Sequence, residues 1–253
     1  MLKQDHVNNQ QLEKRKFIQN CLTDTIIPSE HKINNLGLFL KTGSLSHILF
    51  CNEAYEMIKE KPGVIMEFGV WYGNNQILFE NLRAIHEPFN KLRKIIGFDT
   101  FDGYPEDKKT ENDLKAINKG YLEKDIYDVS NYTDYLKNII NFHQENNILS
   151  EKKINEIVIG KVEDTLLKYL NENKSTVIAL IYLDLAIYKS TCFVLENILP
   201  YLIKGSVIIF DEFNHPDIVG DTIAFREILL KNNIDYEIKL SKFMREKTFL
   251  IIK

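Results

Sequence analysis

The spacing of apolar and polar positions divides the chain near residue 45. The first 45 residues are polar and charged, with scattered apolar positions at Leu12, Phe17, Ile18, Leu22, Ile26 and Ile27. They read as a helix and a loop laid over a core built elsewhere. From Ser44-Leu45-Ser46 onward, Ile48, Leu49, Ala54, Tyr55 and Ile58 recur at near-helical spacing, which predicts a helix to about Lys59 with a serine hydroxyl as its cap. Pro62-Gly63 ends it.

Short apolar runs then alternate with amphipathic stretches. Strands are expected at Val64–Phe68, Lys94–Asp99, Glu156–Ile159, Val177–Leu183 and Ser206–Phe210, with helices at about 74–86, 132–146, 163–171, 190–202 and 219–232 between or after them. Residues 102–131 are acidic, lysine-rich and aperiodic, and read as a surface excursion. Two last strands, about 235–240 and 247–252, are separated only by Ser241–Glu246. That gap is too short for a right-handed crossover, so these two must pair antiparallel. The expected fold is α/β: a doubly wound, mostly parallel sheet with a C-terminal antiparallel hairpin. Residues 1–45 would form a helical lid or an oligomer contact, and residues 46–253 the single main domain.

Composition narrows the class. The chain has 253 residues, 32 Lys+Arg against 36 Asp+Glu, and three cysteines (Cys21, Cys51, Cys192) at no metal-type spacing. An odd number of cysteines excludes a closed disulfide framework and suits a reducing, cytoplasmic setting. The opening residues lack the apolar core of a signal peptide, and no segment reaches the roughly 18 to 20 apolar residues of a membrane span. A net charge of -4 without a basic block argues against nucleic acid as the main partner.

In an open α/β sheet, ligands bind beyond the carboxyl ends of the strands. The residues found there are Glu67–Gly73, Asp99, Gly160–Asp164, Asp184 and Asp211-Glu212. Glu67-Phe-Gly-Val-Trp-Tyr-Gly73 has a G-x-x-x-G spacing, which is not the dinucleotide fingerprint; its glycines suit a tight turn and close approach of a ligand, or an ordinary strand-to-helix turn. Asp99 is placed to accept from ribose hydroxyls, or to serve as a turn aspartate. Gly160 would let the chain approach an adenine, while Asp164 or Thr165 caps the next helix. Asp184, Asp211 and Glu212 converge from adjacent strand ends and would repel one another unless a cation sits among them. Oxygen-only ligands suit Mg²⁺, with Ca²⁺ or Mn²⁺ as alternatives. Otherwise Glu212 points outward and Asp184 pairs with Lys189 or Arg226.

These segments resemble the macrocin and mycinamicin sugar O-methyltransferase family, within the class I S-adenosylmethionine-dependent methyltransferases. The resemblance rests on residues 67–73, Gly97-Phe-Asp-Thr-Phe-Asp-Gly-Tyr-Pro105, Gly160-Lys-Val-Glu-Asp-Thr-Leu166, Leu183-Asp-Leu-Ala-Ile-Tyr-Lys-Ser-Thr191 and Asp211-Glu-Phe213, in the family's order. It implies S-adenosylmethionine as methyl donor, held by Glu67, Gly69, Gly73, Asn74, Asp99, Phe101, Val162, Glu163 and Asp184. It implies Mg²⁺ at Asp184, Asp211 and Glu212, chelating hydroxyls of a small-molecule acceptor, typically a sugar, and a homodimer. Two departures stand out: Ala186 replaces the family's second aspartate, and Asp211-Glu212 replaces the usual Asp-Asp. The first leaves the general base open; His215 is the preferred candidate, followed by Lys189 and His143. Trp71, Tyr72, Tyr104, Tyr188 and Phe213 are candidate walls of the acceptor pocket. A cofactor-binding domain without turnover and an NAD-dependent oxidoreductase on a similar sheet are the competing readings.

Overall fold

A computed structural model describes residues 9–23, 26–122, 131–148, 150–245 and 247–253. Its centre is a seven-stranded sheet built from β1 (Val64–Phe68), β2 (Ile95–Asp99), β3 (Asn155–Ile159), β4 (Ile178–Leu183), β5 (Leu202–Phe210), β6 (Tyr236–Leu240) and β7 (Thr248–Ile252), in the spatial order β3-β2-β1-β4-β5-β7-β6. The first five run parallel, and β7 is antiparallel to both β5 and β6, as the length of the last connection requires. All residues of β1 and β4 are buried, the signature of strands covered on both faces.

Helices α1 (Asn9–Thr23) and α2 (Ser29–Asn34) precede α3 (Thr42–Ile58); then come α4 (Asn74–His86), α5 (Glu111–Asn118), α6 (Tyr132–Glu145), α7 (Val162–Glu172), α8 (Tyr188–Ile198) and α9 (Gly220–Ala224). Side-chain alternation splits the core in two. One face of the sheet (Met66, Phe68, Ile181, Leu183, Ile208, Phe210) packs on α7, α8 and the turns after α9; the other (Ile65, Leu180, Tyr182, Ile209, Phe249) packs on α3 and α4. Continued past the strand ends, that alternation sends Glu67, Asp184 and Asp211 toward the α3/α4 side. The ladder does continue, because Asp184 N donates to Phe68 O (2.8 Å) and Asp211 N to Leu183 O (2.9 Å).

Four local expectations need correction. Helix α3 starts at Thr42, with Lys41 as N-cap and no side-chain cap bond, so the serines lie inside the helix. The 102–131 excursion holds α5, capped by a reciprocal Thr110–Asp113 box; so short a helix, burying only Asp113, Ala116 and Ile117, shows no sustained period. Residues 123–130 of that excursion lie outside the described set. Helix α8 stops at Ile198, a 3₁₀ turn containing Pro200 follows, and β5 begins at Leu202 rather than 206. The last helix is α-helical only to Ala224 and continues as a π-turn over Phe225–Leu230. At the N-terminus the expected helix is present, and Ile26, Ile33 and Leu38 are largely exposed. Among the described residues no helix is long and apolar enough to cross a membrane, and the three cysteines are free thiols.

Candidate active site

The chain turns sharply at the carboxyl ends of the parallel strands, and there it accepts backbone strain. Trp71 (φ 48°) after β1, Phe101 (52°) after β2, Ala186 (56°) after β4 and Asn214 (62°) after β5 all occupy the left-handed region. Such residues cost on the order of 1–3 kcal/mol each and concentrate at functional sites. Trp71 and Ala186 are among the walls of a cleft of about 260 Å³, which also include Gly69, Asp99, Val162, Glu163, Asp184, Asp211 and Glu212.

The β1 turn differs in detail from its sequence reading. Gly69 (φ 91°) lines the cleft, but the space beside it belongs to the chain itself: a Cβ there would meet Asp184 O at 2.1 Å. Gly73 makes room for Leu136, which a Cβ would approach to 2.4 Å, so it serves packing on α6 rather than ligand approach. Glu67 is buried and accepts from the side-chain amides of Asn75 and Gln76 (2.9 Å each), tying β1 to the first turn of α4. Asn74 is exposed on that turn. Neither Glu67 nor Asn74 is part of the cleft wall.

Asp99 lines the cleft and organises it. Its Oδ2 accepts from Val70 N (2.7 Å) and Trp71 N (2.9 Å), and its Oδ1 from Phe101 N (2.7 Å). The carboxylate thereby ties the β1 and β2 turns together. Phe101 leans away from the cleft onto the Val70–Leu136–Ile140 cluster, and Tyr104 and Pro105 form that wall instead. Across the cleft Ser190 donates to Glu163 Oε1 (2.8 Å), while Glu163 Oε2 is buried without a partner among the described residues. An unpaired buried carboxylate oxygen costs free energy unless a ligand supplies a donor. An exocyclic adenine amine has that donor, so Val162 and Glu163 fit the adenine end of S-adenosylmethionine.

The acidic floor contains a residue that sequence reasoning missed. In the antiparallel register Phe210 faces Thr248, which sets Lys247 opposite Asp211. The Lys247 ammonium pairs with Asp211 Oδ1 and also donates to Asp211 O (3.0 Å); the two side chains are 11% and 15% exposed. Tyr182 donates its hydroxyl to the same Oδ1 (2.6 Å). Burial and the Asp211 charge push Asp184 well above the ordinary carboxylate range and raise Glu212 as well. Burial alone would lower Lys247, but Asp211 and Asp184 outweigh it and keep the amine protonated. Behind Glu212, the buried Asp221 accepts from Glu212 N (3.3 Å) and Thr191 Oγ1 (3.2 Å), and burial lifts it to about 7.

Asp184, Asp211 and Glu212 all line the cleft, and the cation paired there is Lys247, on Asp211, rather than Lys189 or Arg226 on Asp184. Among the described residues no group of three His, Cys, Asp or Glu side chains is arranged to hold a metal ion as it stands. The donor set offers only oxygens, the chemistry a hard dication takes.

The proposed bases fare differently. His215 Nδ1 accepts from Asp217 N (3.1 Å) and Ile218 N (3.0 Å), and its ring meets Tyr121 edge-on. The neutral ring thus carries its proton on Nε2 and is a donor; taking a proton at Nδ1 would break both bonds. Lys189 is exposed on α8, outside the cleft wall. His143 lies on α6 beside Phe142, away from the carboxylates. Of the aromatic candidates, Trp71 and Tyr104 line the cleft; Tyr72 packs between Trp71 and Tyr132, and Tyr188 and Phe213 join the core. Tyr121 and Leu122, at the end of the α5 segment, complete the wall.

Residues 46–239 match the macrocin O-methyltransferase (TylF) family. The chain belongs to that family. It is a class I S-adenosylmethionine-dependent O-methyltransferase, as the macrocin O-methyltransferases are. A calicheamicin methyltransferase, CalS11, is 34% identical over 98% of this chain and 97% of its own, with a TM-score of 0.88. An apo structure of CalS11, described as a TDP-rhamnose 3'-O-methyltransferase of calicheamicin biosynthesis, is 33% identical over 97% of this chain and 96% of its own (TM-score 0.82). A Bacillus cereus O-methyltransferase solved with S-adenosylhomocysteine shares the fold at 12% identity, over 96% of this chain and 100% of its own (TM-score 0.52). No curated protein matches. The G-x-x-x-G turn and the macrocin O-methyltransferase assignment together remove the NAD-dependent reading.

Proposed function

We propose that the protein methylates a hydroxyl of a sugar or sugar nucleotide in natural-product or glycan biosynthesis, with Mg²⁺ at the acidic floor. The observation that supports this reading is a cleft lined by Asp184, Asp211 and Glu212 together with Asp99 and Val162-Glu163, the residues expected to hold the methyl donor. CalS11, described as acting on TDP-rhamnose, supports the sugar class. The apolar wall of Tyr104, Tyr121, Leu122 and Ala186 suits the carbon face of a sugar ring. The enzyme would act as a cytoplasmic homodimer, with residues 1–45 as lid or contact.

In this mechanism Val162 and Glu163 would hold the adenine end of the donor, in the cleft that the Gly69 turn also lines. Asp184, Asp211 and Glu212 would hold the cation, which when bound makes an acceptor hydroxyl more acidic. Trp71 and Tyr104, which line the cleft, would orient the acceptor. Alignment of acceptor oxygen and methyl group contributes about 7 kcal/mol or more, so positioning can supply much of the rate. The test incubates the full chain with labelled S-adenosylmethionine and a panel of nucleotide-linked and free sugars, with Mg²⁺ or with chelator. Transfer that needs the cation supports the reading. Transfer in chelator removes the cation, and donor binding without transfer to any sugar removes the acceptor class.

A further inference from the structure

Lys247 is placed by the sheet itself. Register sets it across from Asp211, and two bonds to that one residue, to the carboxylate and to the main-chain oxygen, hold its buried ammonium there. With the Tyr182 hydroxyl on the same oxygen, Asp211 Oδ1 already serves two donors and only Oδ2 is left. A dication that used Asp211 would lie beside the positive charge already paired there. Asp184 and Glu212 line the same cleft and lie within the field of that ammonium.

We propose that Lys247 and a divalent cation compete for the Asp211 carboxylate, so that the lysine weakens cation binding and makes it conditional on release of its own ion pair. The inference rests on the cation reading above. It deepens that reading by naming the residue that sets how readily the floor accepts the ion. Lysine does this as a compact, mobile charge on a flexible stem.

The experiment titrates Mn²⁺ into full-length wild type, Lys247→Met, Lys247→Arg and Asp211→Asn. It reads free Mn²⁺ by electron paramagnetic resonance and follows thermal unfolding in parallel, so that neither readout depends on activity. Lys247→Met is expected to bind Mn²⁺ at least tenfold more tightly than wild type, to melt lower without the ion and to gain more from it. Lys247→Arg should stay near wild type, and Asp211→Asn should lose the site. If Lys247→Met does not fold, Lys247→Gln, which keeps a donor for the Asp211 main-chain oxygen, carries the same expectation. Equal Mn²⁺ affinity in wild type and Lys247→Met overturns the competition while the cation reading stands. No Mn²⁺ binding in any variant, together with methyl transfer in chelator, overturns the cation reading and the competition with it.

Discussion

Glu163 and His215 show how single atoms assign roles. Glu163 reaches the cleft with one oxygen satisfied by Ser190 and the other bare among the described residues. Glu163→Ala should raise the KM for S-adenosylmethionine about tenfold with kcat nearly unchanged, since a hydrogen bond to a charged group is worth about 1.5–3 kcal/mol and serves ground and transition states alike. An unchanged KM in steady-state kinetics would show that the adenine lies elsewhere. His215 spends Nδ1 on two backbone amides. His215→Ala should therefore lower kcat by no more than about tenfold, whereas a general base contributes on the order of 10²–10⁴. A larger loss, with the bell-shaped pH profile losing a limb, would return the base to His215.

Buried carboxyls also make stability depend on pH in a defined sense. Burial lifts Glu67 to about 8 and Asp221 to about 7. In the unfolded chain both release their protons near pH 4. Between those values the folded state binds more protons than the unfolded one, so stability that is complete below about pH 4 is lost as pH rises toward 7–8. Denaturant unfolding at pH 5, 6, 7 and 8 should show this decline, at up to about 1.4 kcal/mol per pH unit for each group, and Glu67→Gln should flatten it. A wild-type stability that rises over this window would contradict the assignment.

At the scale of elements, the junction of β1 and β4 decides where the carboxylates stand. Gly69 sits at φ 91° with the Asp184 carbonyl where a Cβ would lie. Gly69→Ala combines a disfavoured backbone with a clash against main chain, and neither can relax without parting the two strand ends. A loss of at least about 3 kcal/mol is expected, with loss of donor binding in whatever folds. Circular dichroism melts and calorimetric titration with S-adenosylhomocysteine check both. The β6–β7 hairpin matters for another reason. Because β7 runs antiparallel, its first residues lie at the same end of the sheet as the last residues of the parallel strands, and this delivers Lys247 to Asp211.

For the whole molecule, the cleft lies between the two cores and joins the ends of five strands. A ligand that fills it contacts all five strand ends at once. S-adenosylhomocysteine at about 100 times its dissociation constant should stabilise the fold by about 2.7 kcal/mol. For a chain of this size that raises Tm by about 5–10 °C. NADH at the same concentration should leave Tm unchanged; the opposite pattern would overturn the cofactor assignment.

Much of this architecture follows from local pattern. The apolar runs of β1 and β4, the helical spacing of α4 and the six residues between the last two strands suffice for a parallel sheet with an antiparallel end, because burial period and connection length are properties of the chain. The carboxylates at the strand ends, Asp99, Asp184, Asp211 and Glu212, follow from the rule that sites lie there. The α5 helix did not emerge, since its few buried residues carry no period. Lys247 did not emerge either: a lysine before an apolar strand reads as solvated, and its buried ion pair exists only once register sets β7 against β5. The same holds for His215, whose type suggests a base while two amides contributed by its own turn make it a donor. Sequence thus determined which segment borders the cleft after each strand, because that depends on neighbours along the chain. Only the tertiary structure decided which charges face one another and which protons they keep, because those depend on burial and on contacts between segments far apart in the chain.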